Sequence, residues 1–170
     1  MPKFCQFLLI FLCLGPTVNG QSKEHSAILG DLRVTVTAVR EATADDVKQY
    51  RLYSNPGYHS VLVFLKVKNV ADYPNCTFPT YWLGVAQGYQ YKGASLSGKN
   101  ALKAFRLPPS DESEGILDFQ VKDGTKPVTL KILRDDTTDA FCAQEQHRER
   151  RNTGPTTVRL SLQGLPNKNG

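Results

Sequence analysis

The chain has 170 residues, with 21 Lys and Arg against 16 Asp and Glu, a formal charge of +5. That length allows one domain of ordinary size whose core needs neither a metal nor many disulfides. The mild basicity permits weak attraction to anionic surfaces without demanding a nucleic-acid partner, and no stretch after residue 20 is long and apolar enough to span a membrane.

Met1-Pro2-Lys3 gives a short positive start, and residues 4–14 run apolar, interrupted only by Gln6, up to Gly15-Pro16. Val18 and Gly20 fill the two positions that a signal peptidase reads. A secretory signal peptide over residues 1–20 is therefore expected, with Gln21 opening the mature chain. The apolar run is about half of the ~20 residues that a bilayer needs. Cleavage leaves 150 residues with 20 basic and 16 acidic side chains, a charge of +4. Cys5 and Cys13 leave with the signal. Cys13 follows Leu12 inside the apolar run, so a soluble secreted or periplasmic protein is expected rather than a lipid-anchored one. Cys76 and Cys142 remain, and in an oxidising compartment they most simply form a disulfide. Two separate buried thiols are the alternative.

Residues 21–30 are polar and read as a flexible arm. Leu32, Val34, Val36 and Ala38 alternate with Arg33, Thr35 and Thr37, the period of a half-buried strand. Residues 41–56 read as a long polar loop with room for a helical turn, closed by a turn at Ser54-Asn55-Pro56-Gly57. Residues 59–70 give the strongest strand, with Val61, Val63, Leu65 and Val67 on one face. Its other face runs from Leu62 and Phe64 to Lys66 and Lys68, as for a strand whose end leaves the sheet. Residues 81–85 and 89–91 read as short strands around Gln87-Gly88, and residues 93–100 as a small-residue loop. Residues 101–107 read as a strand stopped by Pro108-Pro109, and residues 110–115 as an acidic loop. Strands follow at 115–121, 128–132 and 157–162, with a turn at 122–125, a polar segment at 134–153 and a frayed tail at 166–170. Seven or eight short strands without an amphipathic helix predict an all-β, immunoglobulin-like antiparallel sandwich over residues 31–165. A small barrel is the runner-up.

Leu32-Arg33-Val34-Thr35-Val36, Phe64-Leu65-Lys66-Val67-Lys68-Asn69, Leu107-Pro108-Pro109 and the run from Glu114 through Gly115 and Phe119 to Val121 carry a likeness. Over residues 30–133 this order resembles the telokin-like, immunoglobulin-fold secreted domains of bacteria, a family of unknown function. The resemblance implies a sandwich and an extracellular setting, and implies no catalytic residues.

No nucleophile elbow, zinc-protease helix, Cys-x-x-Cys or phosphate-binding glycine loop occurs. His25, His59 and His147 stand far apart. Asp45 with Asp46, or Asp135 with Asp136 and Asp139, offer oxygens to calcium but lack an ordered ligand spacing. The basic run at residues 147–151 is diluted by Glu145 and Glu149. Trp82, near Tyr81, Tyr89 and Tyr91, reads as a core plug between sheets, with an anchor for a partner or a sugar as the alternative, and the tyrosines fit either place. Asn75-Cys76-Thr77 fits a glycosylation sequon with a poor middle residue. The expectation is a non-catalytic secreted binding or structural module, without cofactor or metal, whose partner is an unidentified extracellular protein or surface component and not a nucleic acid. The competing readings are an extracellular enzyme with a loop-built site drawing on His59, Asp111 and Glu112, and a metal- or ligand-binding accessory protein using Asp135, Asp136 and Asp139.

Overall fold

The computed structural model describes residues 25–75, 78–135 and 156–165. The signal segment, Cys76, Cys142, the 147–151 run and the 166–170 tail lie outside the described residues. Eight strands appear: β1 (Ser26–Leu29), β2 (Leu32–Glu41), β3 (Tyr58–Asn69), β4 (Pro79–Val85), β5 (Gln90–Ser95), β6 (Glu112–Lys122), β7 (Pro127–Arg134) and β8 (Thr157–Ser161). One short helix, α1 (Ala44–Tyr50), joins β2 to β3. No helix among the described residues is long and apolar enough to cross a membrane.

Every pairing is antiparallel, in the order β1-β2-β3-β6-β5-β4-β7-β8. The set β2-β3-β6-β5 faces the set β4-β7-β8, which is the connectivity of an immunoglobulin-like sandwich. The expected architecture therefore stands, with one difference. β5 pairs with β4 through Gly93 and with β6 through Ala94 and Ser95, so hydrogen bonding runs continuously around one corner. Gly93 makes that corner possible, because a Cβ there would lie 2.3 Å from the Phe119 ring.

Inward-facing side chains fill the space between the layers. Phe119 is fully buried at its centre, with Leu65, Leu83, Leu117, Leu130, Ile132 and Leu160 around it. Val61, Val63, Leu65 and Val67 all point inward, as their alternation requires. The outer face of β3 does not leave the sheet. Leu62 is fully buried, Phe64 lies 5.3 Å beneath the Arg40 guanidinium, and Lys66 and Lys68 pair with Glu112 of β6.

Three local expectations need correction, and the helical turn allowed in residues 41–56 is extended. Ser26–Leu29 is not a loose arm: it pairs with β2 and buries Leu29. The 41–56 segment contains α1, started by a capping box in which Thr43 and Asp46 satisfy each other's backbone N–H groups. β6 begins at Glu112, inside the supposed acidic loop. Residues 101–107 form no ladder. Side chains hold them instead: Ser95 Oγ accepts from Leu102 N, Ser113 Oγ from Lys103 N, and Asn75 Oδ1 from Leu107 N. Asn69 Nδ2 donates to the Leu107 carbonyl at 2.8 Å.

Candidate binding face

Trp82 is not a core plug. Tyr81, Leu83 and Val85 take the inward parity of β4, and Trp82 stands half-buried on the outer face. The register then decides its neighbours. Lys92 of β5 lies directly opposite on one side and Lys131 of β7 on the other, and Arg159 of β8 lies opposite Lys131. Lys92, Trp82, Lys131 and Arg159 thus form one row across four strands, roughly 14 Å long at the usual strand spacing. Along its own strand Trp82 is flanked by Thr80 and Gly84. A Cβ on Gly84 would meet Thr129 Oγ1 at 2.4 Å, so a side chain in this floor beside the indole would have to displace that hydroxyl.

The row is electrostatically unbalanced. β4, β5, β7 and β8 contain no Asp or Glu. Among the described residues, no carboxylate lies within ion-pair distance of Lys92, Lys131 or Arg159. The opposite outer face behaves differently. Lys66 pairs with Glu112 and lies 4.0 Å from Glu114, and Lys68 lies 3.7 Å from Glu112. The hydrogen bond from Lys66 holds the Glu112 carboxyl below its ordinary range. One face neutralises its own charge, and the other presents cations around an indole.

A groove of about 490 Å³ adjoins the row, sharing Thr80 and Lys92 with it. Its apolar wall includes Phe78 and Phe105, which pack edge to face with centroids 5.9 Å apart. A larger open cleft of about 980 Å³ lies at one end of the sandwich, with Arg40, Glu41 and Lys126 among its lining.

The residues that an enzyme reading would gather are separated. His59 Nδ1 lies 3.0 Å from Asp123 Oδ1, and Nε2 lies 3.7 Å from Glu41 Oε1 without a hydrogen bond. Glu112 pairs in register with Lys68, nine residues along β3 from His59, and Asp111 precedes it, so both lie about 30 Å away. No hydroxyl among the described residues bonds to His59. Of the acidic candidates, Asp46 is occupied by Arg40 and Thr43. Asp136 and Asp139 lie outside the described residues, and no trio of His, Cys, Asp or Glu among the described residues could hold a metal. Asn75 of the sequon is fully buried, its amide donating to the Ala104 carbonyl at 2.6 Å.

Lys92, Lys131 and Arg159 escape sequence reasoning. Alternation gives each one's parity, but only the cross-strand register brings them beside Trp82.

No family model matches the chain, and no curated protein does. Among solved structures it is similar to MPT63, a secreted protein from Mycobacterium tuberculosis, with a TM-score of 0.42 and 15% identity. The likeness covers 59% of this chain and 72% of that one. A telokin-like family is not among these findings.

Proposed function

We propose that this chain is an extracellular immunoglobulin-like binding module without catalytic activity, which takes its partner on the outer face of β5, β4, β7 and β8. The observation that carries this reading is the row Lys92–Trp82–Lys131–Arg159 on a sheet face whose strands bear no acid. Sandwiches recognise partners through loops and faces and need no reaction chemistry to do so. The signal-like pattern of residues 1–20 supports the extracellular setting.

The mature chain, immobilised, should retain material from its native extracellular fraction. Trp82→Ala should abolish that retention and His59→Ala should leave it intact. Retention indifferent to Trp82 would remove the face from consideration.

An extracellular enzyme is the second reading, favoured by the imidazole of His59 oriented on Asp123. A screen of esters, peptides, glycosides and phosphate esters should give background rates. Turnover abolished by His59→Ala would promote the enzyme.

A further inference from the structure

The chemistry of the row narrows the partner class, an inference that rests on the binding-module reading above. We propose that the outer face of β5, β4, β7 and β8 binds a linear acidic polysaccharide, with sugar carboxylates or sulfates on Lys92, Lys131 and Arg159 and a sugar ring stacked on the Trp82 indole.

Charge complementarity is the first argument. Three cations without carboxylate partners among the described residues stand in line, while the other face pairs its lysines internally. They lie on successive strands, apart from the one that Trp82 occupies, so the site is narrow and directional. It fits a chain crossing the strands rather than a broad charged surface. The second argument is the indole. It is half-buried, so its orientation is held, and it sits between two lysines. A flat apolar ring with a negative π face suits the polarised C–H face of a sugar. Thirdly, the floor is low and hydroxyl-bearing, with Thr80, Gly84 and Thr129 around the indole. A flat ligand can lie there and find hydroxyl partners.

Other polyanions fit less well. Single-stranded nucleic acid is held by stacking successive bases on a series of aromatics, and the row has one. Anionic membranes are recognised by clusters of about four to eight Lys and Arg, and the row has three cations.

Isothermal titration of the mature chain in about 0.15 M salt tests this, with alginate and heparin oligosaccharides as probes. Neutral dextran, poly-glutamate, a single-stranded oligonucleotide and phosphatidylserine vesicles serve as comparisons. At least one acidic polysaccharide should bind and dextran should not. Trp82→Ala should weaken binding about tenfold or more while leaving its salt dependence unchanged. Lys131→Gln with Arg159→Gln should weaken it and flatten the salt dependence. Lys66→Gln, on the other face, should do neither. The charge variants keep the test valid if Trp82→Ala fails to fold, as read by its circular dichroism. Binding of both polysaccharides unaffected by the row variants would overturn the proposal, as would tighter binding to poly-glutamate, oligonucleotide or vesicles, or no polysaccharide binding at all. If polysaccharides fail while native extracellular material is still retained through Trp82, only the ligand class falls. If that retention also ignores Trp82, the binding face falls with it.

Discussion

Arg40 grips Asp46 with two hydrogen bonds, Nη2 donating to Oδ1 at 2.8 Å and Nη1 to Oδ2, and both side chains are nearly buried. The pair ties α1 to the outer face of β2 and β3. Asp46 also accepts from the backbone N–H and hydroxyl of Thr43 at 2.7 Å each, so one carboxylate starts the helix and anchors it. Asp46→Ala would strand a nearly buried guanidinium and remove half of the capping box. We expect a loss of about 3 kcal/mol in urea unfolding. A loss below about 1 kcal/mol would mean that the pair behaves as a solvated one.

Two carboxyls should give opposite pH signatures. The Arg40 hydrogen bond, aided by Thr43, holds the Asp46 carboxyl well below the usual carboxylate range. Its contribution is complete above the unfolded value of about 3.9 and is lost as pH falls toward the folded one. Burial raises the Asp118 carboxyl, whose Oδ1 lacks a hydrogen bond. The folded state then holds that proton to higher pH than the unfolded chain. Stability from this group is complete below about 3.9 and is lost as pH rises through the raised folded value. Asp118→Asn should therefore raise the Tm at pH 7 and change it little at pH 3. A lower Tm at pH 7 would show that the ionised carboxylate is favoured in place.

At the corner of β5 the Phe119 ring has no room to retreat, being fully buried. Gly93→Ala should cost about 1–3 kcal/mol through overpacking. Adding Phe119→Leu should recover part of that, a coupling visible in a double-mutant cycle. Strictly additive losses would mean that the two sites do not touch.

Asn75 bridges the Leu107 N–H at 2.6 Å and the Ala104 carbonyl at 2.6 Å, both in the segment that lacks a ladder. Asn75→Ala leaves both unsatisfied, and a loss of about 2–4 kcal/mol is expected. That burial leaves the folded chain no room for a glycan on Asn75. Mass spectrometry after expression in a glycosylating host should find Asn75 unmodified, and a glycan there would mean that the 101–107 segment opens.

Cys76 directly follows the buried Asn75. A Cys76–Cys142 bridge remains our proposal. Thiol counting on the denatured mature chain should find no free sulfhydryl before reduction and two after it. Two free thiols at the outset would leave the cysteines unpaired.

Much of the fold was legible because β2, β3, β6, β7 and β8 each carry enough alternating residues to fix their parity. β1 was not, since Ser26–Leu29 is too short for a period and owes its state to pairing with β2. α1 has only seven residues, yet its Thr43–Asp46 capping spacing was a readable signal. Residues 101–107 look like a strand because the sequence shows apolar spacing but not which backbone groups side chains will claim. Trp82 reads as core by its size alone, although Tyr81, Leu83 and Val85 mark the inward parity of the strand. The row Lys92–Trp82–Lys131–Arg159 is not legible in the sequence. Its four members come from strands far apart in sequence, and register between distant strands is a property of the folded chain.

The first and last strands of the sheet order, β1 and β8, come to rest side by side, with His25 Nδ1 2.9 Å from the Ser161 carbonyl. Among the described residues no main-chain ladder joins the two, so each keeps one edge that no strand of the sheet pairs, the kind of edge along which a visiting peptide can add a strand.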